Sequence, residues 1–161
     1  MTDVPLVVGL VSDTHGLVRP ALFEALAGVS RILHAGDVGG ADVLAELAAI
    51  APVQAVYGNT DPVGHPGLEE ALDLTLGGVS VHVSHGHELG RPTPERLLAA
   101  YPHDVLVYGH THRQLVHRAA DGRLVVNPGA AGARRFDLSP SVARLTIAGG
   151  RAEVQLVELP V

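Results

Sequence analysis

Short apolar runs recur along this chain, and several of them end on a polar cluster. Leu6–Val11 is apolar throughout, the pattern of a strand covered on both faces. Pro20 opens a short helix and Gly28 closes it, the usual Pro-in, Gly-out asymmetry. Ile32 and Leu33 give a second strand. Val43, Leu44, Leu47, Ile50 and Ala51 fall at helical spacing, so one face of that segment is apolar. Pro52 ends the helix, and Val53 to Tyr57 is a third strand. Such βαβαβ alternation predicts a parallel sheet. Beyond it, Leu72–Leu76 and Val79–Val83 flank Gly77-Gly78, a two-residue hairpin signal. Thr93 caps a helix opened by Pro94 and stopped by Pro102, with Leu97 and Leu98 facing inward. Val105–Tyr108, Gln114–His117 and Leu124–Asn127 read as strands, the last two joined by an Asp121-Gly122 turn. Val142–Ile147 and Ala152–Leu159 form a final hairpin around Gly149-Gly150. The pattern predicts one domain over residues 1–161, α/β or α+β by class, with a two-layered β core and helices outside.

Composition narrows the chemistry. The 161 residues carry 47% hydrophobic but only 3% aromatic side chains, so the core is built from Val, Leu, Ala and Ile. The net charge is -6, and all eleven basic residues are arginine. With no basic block, a surface that tracks a nucleic-acid backbone is not expected. There is no cysteine, which excludes disulfides and thiolate metal sites and leaves N and O donors for any metal. No apolar run approaches the roughly 18 residues of a membrane span, and Met1–Pro5 has no basic leader character. The expectation is a cytoplasmic protein without a membrane segment; a homo-oligomer is compatible with this composition.

The polar clusters at the strand ends are the informative feature. Asp13-Thr14-His15 comes after the first strand, Gly36-Asp37 after the second and Gly58-Asn59-Thr60-Asp61 after the third. His85-Gly86-His87 comes after Val79–Val83, and Gly109-His110-Thr111-His112 after Val105–Tyr108. Each cluster alone is weak, since Gly-Asp and Asn-containing pairs are ordinary turn chemistry. Five in order, all at the ends of strands, can converge above a sheet as a multinuclear metal site needs.

These motifs, with Asn127-Pro128-Gly129-Ala130 after them, resemble the signature of the calcineurin-like metallophosphoesterases. The small size is similar to the compact YfcE/MJ0936 phosphodiesterase branch, to which Vps29-like scaffold proteins are also related. The resemblance runs from about Leu6 to Arg135 and implies a four-layer α/β/β/α sandwich of two mixed sheets flanked by helices. It implies two divalent ions, Mn2+ first, with Ni2+, Fe2+, Co2+ or Zn2+ also suited to such donors. One would take Asp13, His15, Asp37 and His112, the other Asp37, Asn59, His85 and His110, with Asp37 shared. A bridging hydroxide would then be the nucleophile towards a phosphodiester.

One departure matters. Larger members carry a histidine after Gly-Asn, taken to protonate the leaving group, and this chain has Thr60 there. The general acid is then His87, a metal-bound water or no group at all, with His87 the candidate residue, and Asn59, His87 and Arg134 are the candidates for contacting a small phosphoester substrate. Asp61 is expected to orient a metal-ligating histidine, Asn127 to pin its own loop, and His34 to lie buried beside the site. His65, His82, His103 and His117 read as surface or packing residues. The alternatives are a phosphomonoesterase and a non-catalytic, Vps29-like binding module; the latter would carry damaged ligands or a large exposed apolar patch.

Overall fold

The alternation of side chains along β1 (Leu6–Val11) sets the layers of the molecule. Val8 and Leu10 enter one apolar cluster while Val7 and Val11 enter another on the opposite face, as successive residues of a strand must. The computed structural model describes residues 4–134 and 137–160. In the first sheet β1 lies between β10 (Ser141–Ala148) and β2 (Arg31–His34), and β3 (Val53–Val56) and a short β4 (Leu68–Glu69) extend it on one side. β11 (Arg151–Glu158) closes the other edge. Strands β1 to β4 run parallel, whereas β10 pairs antiparallel with both β1 and β11.

The second sheet has the order β5 (Leu72–Leu76), β6 (Val79–Val83), β7 (Val105–Val107), β9 (Leu124–Asn127), β8 (Leu115–Arg118). Its β6, β7 and β9 are mutually parallel. Val81, Val83, Val105, Val107 and Val126 face Val8, Leu10, Leu33, Leu145 and Ile147 across the gap between the sheets. That all-aliphatic layer is the main core. Truncating one of its leucines to alanine should cost about 2–5 kcal/mol.

Helices cover the outer faces. α1 (Ala21–Ala25) and α2 (Ala41–Ala48) put Leu22, Val43 and Leu47 on the outside of the first sheet. α3 (Pro94–Ala100) seats Leu97 against Leu106, Tyr108 and Val125 of the second. Thr93 caps α3 by accepting the Arg96 N–H at 3.2 Å. The helix stops as Tyr101 turns extended before Pro102, the conformation proline imposes on its predecessor. The architecture is therefore α/β/β/α. The sequence pattern does not register β4 or the 3₁₀ turn His87–Leu89, both too short to carry a period.

Candidate metal centre

Every cluster flagged after a strand lies at the carboxyl end of a parallel strand: β1, β2 and β3 in one sheet, β6 and β7 in the other. That is where open α/β sheets place their sites. The two sheets lie face to face, so their loops meet. His15 Nε2 is 3.4 Å from His112 Nε2, 3.7 Å from Asp13 Oδ1 and 3.6 Å from Asp37 Oδ2. His112 Nε2 is 3.3 Å from Asp13 Oδ1. A second group adjoins it: Asn59 Oδ1 lies 3.0 Å from His85 Nε2 and 3.1 Å from His110 Nδ1, and these two nitrogens are 3.3 Å apart. His85 Nε2 is 3.3 Å from Asp37 Oδ2. One oxygen, Asp37 Oδ2, thus faces both groups.

The arrangement fits divalent cations. Donors bonded at 2.0–2.2 Å to one ion stand about 3 to 3.6 Å from each other, close to the separations seen. Asp13 divides its duties: Oδ2 accepts from the Ser12 hydroxyl and, at 3.1 Å, from the His110 N–H. Its Oδ1 is buried without a hydrogen bond and points at the imidazoles. On His85, Nδ1 lies 2.8 Å from the Ala35 carbonyl. That carbonyl can only accept, so the proton sits on Nδ1 and the Nε2 lone pair is left for a metal. The residues present could hold two ions as the two groups suggest.

Local backbone explains how side chains from tight turns reach one point. Among the described residues, the non-glycine positions with positive φ are Asp13, His15, Asp37, His110 and His112, all of them candidate ligands. Left-handed backbone costs an L-residue free energy, and such strain collects at functional sites. Glycine admits close packing next to the ligands. A Cβ on Gly58 would overlap Asp37 Oδ1, and one on Gly109 would overlap the Ser12 hydroxyl and stand 2.5 Å from Asp13 Oδ2.

Three polar side chains brace these loops. Asp61 accepts from the Gly58 and Val38 N–H groups through Oδ2, at 2.9 and 3.0 Å, and from Gly39 N–H through Oδ1 at 3.1 Å. It therefore joins the loop after β2 to the loop after β3 and does not orient a histidine, correcting the expectation from sequence. Three backbone donors already occupy its oxygens. Asn127 accepts from Gly129 N–H at 2.9 Å, as expected for its own loop. It also donates to Gly109 O and Thr111 Oγ1, at 3.1 and 3.0 Å, bracing the turn that carries His110 and His112. His34 is fully buried. Its Nδ1 accepts from Gly36 N–H at 3.1 Å, so Nε2 carries the proton and donates to Thr14 Oγ1 at 3.0 Å, which donates to Val38 O.

Electrostatics favour a cation. Burial raises the Asp13 carboxyl, but the adjacent His112 and His15 imidazoles and the charge of His85 outweigh it and hold Asp13 far below the carboxylate range. Asp37 shows the same contest, burial against His85 and the Thr60 N–H, and falls to about 2. His85 is depressed by burial yet raised on balance by Asp37 and Asp13. Two buried carboxylates thus stay ionised and draw positive charge to themselves. His34 goes the other way: burial drives its pKa down to about 4.

The remaining candidates are less uniformly placed. The His87 ring is half-buried, with its centroid 5.3 Å from that of His85 and 6.4 Å from that of His110. It lines a cavity of about 210 Å³ with Tyr57, Ser84, Glu88 and Tyr101. Arg134 is exposed, and among the described residues no contact joins it to the cluster. His82 and His103, surface or packing residues by the sequence reading, both converge on Asp73. Nothing local in the sequence marks that grouping, because Asp73 and His103 are thirty residues apart.

The chain belongs to the calcineurin-like phosphoesterase superfamily, whose domain matches residues 6–150. It is 33% identical to a probable metallophosphoesterase of Methanothermobacter thermautotrophicus, over 94% of this chain and 92% of that one. It is 26% identical to the phosphodiesterase MJ0936 of Methanocaldococcus jannaschii, over 76% of this chain and 82% of that one. In fold it is similar to Vacuolar Protein Sorting 29 of Cryptosporidium parvum, with a TM-score of 0.79, 22% identity and full coverage of both chains. Among the described residues no helix is long and apolar enough to cross a membrane.

Proposed function

We propose that this protein is a divalent-metal-dependent phosphodiesterase with a dinuclear centre. One ion would be held by Asp13, His15, Asp37 and His112, the other by Asp37, Asn59, His85 and His110. The observation that carries the reading is Asp37 Oδ2, within 3.6 Å of His15 Nε2 and 3.3 Å of His85 Nε2. One carboxylate oxygen facing two donor groups is what a pair of ions needs as a bridge. When bound, such ions supply Lewis acidity and a shared water that ionises near neutral pH, the nucleophile for in-line attack on phosphorus. Four of the seven ligands are imidazoles, which suit Mn2+ and other borderline transition metals better than Mg2+.

The chain's own groups do the rest. Ser12 and the His110 N–H hold Asp13 in one rotamer, and Ala35 fixes the His85 tautomer. Asn59 lies at the mouth of the centre and is exposed enough to meet a phosphoryl oxygen. His87, half-buried beside the His85 and His110 rings, would donate a proton from Nε2 towards a leaving oxygen. Arg134 would clamp a phosphoryl oxygen from the glycine-rich loop. With Thr60 in place of the leaving-group histidine of larger relatives, proton donation is weak, which favours diesters with good leaving groups. The scaffold alternative calls for damaged ligands, and all seven ligand residues are intact here.

The test is turnover of bis(p-nitrophenyl) phosphate and p-nitrophenyl phosphate by EDTA-treated protein. Mn2+ should restore diester hydrolysis, Mg2+ should restore much less, and the monoester should be slower. Absence of turnover with every metal tried would favour the binding-module reading, and a faster monoester would reassign the substrate class.

A further inference from the structure

We propose that Asp73, His82 and His103 form a second metal site, separate from the seven-ligand cluster, that takes one Zn2+ ion. Asp73 on β5 and His82 on β6 are direct cross-strand partners, so their side chains share the outer face of the second sheet. His103 arrives from the segment between α3 and β7. His82 Nδ1 and His103 Nε2 each lie 2.7 Å from the same oxygen, Asp73 Oδ1. The three donor atoms are all within 4.8 Å of one another. Two imidazole nitrogens and one carboxylate oxygen, with the fourth position open to water, form a three-ligand zinc set.

The site is partly preorganised. The Tyr101 ring stacks on His82 at 3.8 Å between centroids and 25° between planes, which holds the buried imidazole with Nδ1 towards Asp73. Asp73 is the adjustable member, with its side chain 64% exposed. A zinc ion bonded at about 2.0–2.2 Å wants its donors about 3.3 Å apart. The carboxylate must therefore withdraw by roughly 0.6 Å from each nitrogen, a rotation that disturbs no packing. Its ion-pair partners among the described residues are only these two histidines, so no arginine competes with the cation. His82 above all, then His103, holds the Asp73 carboxyl below its ordinary range, keeping it anionic for a metal. The remote nitrogens, His82 Nε2 and His103 Nδ1, are buried without partners. Outer hydrogen bonds to ligating histidines raise affinity about 10–100-fold. Their absence makes this an exchangeable site that EDTA strips.

This proposal does not depend on the phosphoesterase reading. It is tested by calorimetric Zn2+ titration of the EDTA-treated full chain against Asp73→Asn and His103→Ala. Asp73→Asn keeps the shape and an acceptor oxygen but loses the charge, so it tests the site even if His103→Ala folds poorly. The wild type should take one equivalent more than each folded variant, with Mn2+-dependent turnover unchanged. A zinc-dependent rise in melting temperature should survive Asp37→Ala and be smaller in Asp73→Asn than in the wild type, because the seven-ligand cluster of Asp73→Asn still takes zinc. At a free zinc concentration a hundred times the site's Kd, the apparent folding constant should rise about 100-fold. Equal zinc stoichiometry in the wild type and Asp73→Asn would overturn the proposal and leave a hydrogen-bonded clamp.

Discussion

Replacing Asp61 by alanine removes the side chain that fastens the loop after β2 to the loop after β3. Three N–H groups lose their acceptor. Val38 and Gly58 are buried, and Gly39 is exposed enough for water to replace the carboxylate. An orphaned buried donor costs about 1–3 kcal/mol, so the two together should cost roughly 4 kcal/mol. That is a large part of the 5–15 kcal/mol typical of a folded domain. Asp61→Asn should cost less, about 1–2 kcal/mol. Its amide oxygen can still serve Val38 and Gly58, but its NH₂ group confronts the Gly39 donor and the charge assistance is gone. Asp37 and Asn59 sit on the two loops so joined, so Mn2+ affinity should fall as well, about 10–100-fold. The assay is urea unfolding of the EDTA-treated proteins, paired with a Mn2+ titration read by diester turnover. An Asp61→Ala protein within about 0.5 kcal/mol of wild type, the usual range for an unremarkable surface change, would refute the bracing role.

The buried His34 makes acid-side stability depend on pH. Its pKa falls from 6.5 unfolded to about 4 folded, so between those values the unfolded chain binds the extra proton and stability is lost as pH falls. From about pH 7.5 to about pH 5 this amounts to about 2 kcal/mol, a slope that His34→Gln, measured by urea unfolding at both pH values, should lack. Gly109→Ala should force Ser12 and Asp13 aside and weaken Mn2+ binding at least about 10-fold with the fold retained by circular dichroism; wild-type affinity would contradict the close-packing argument. His87→Ala should barely slow a nitrophenyl diester but slow an alkyl diester about 100-fold at unchanged metal content. Equal slowing of both substrates would make His87 a positioning residue and leave the leaving-group proton to water.

Much of this molecule was legible locally. β1, β5, β6 and β9 begin and end where their sequence patterns do: β1 and β9 as near-continuous apolar runs of a covered sheet, β5 and β6 as apolar–polar alternation around the Gly77-Gly78 hairpin. The ligand set was legible because each member comes just after a strand, and parallel strands deliver their carboxyl ends to one edge. Non-local pairing was not. β10 and β11 read as a hairpin, but nothing in their sequence says that β10 docks antiparallel on β1. The role of Asp61 was hidden for a related reason: its partners Val38 and Gly39 lie more than twenty residues back, across a sheet edge. His82 and His103 carry no motif because a motif is a pattern of neighbours in sequence, while cross-strand register brings Asp73 to His82. The left-handed conformations of Asp13, His15, Asp37, His110 and His112 had a faint local signal in the glycines beside most of them, which mark tight turns as well as ligand neighbours.

The central claim is that Asp37 bridges two ions in this cluster, and a crystal structure of the Mn2+-loaded protein with anomalous scattering measured at the manganese edge tests it most directly. The account expects two manganese peaks about 3.5–4 Å apart, both bonded to Asp37, with His15 and His112 on one and His85 and His110 on the other. A single peak, or two peaks of which only one contacts Asp37, would contradict it.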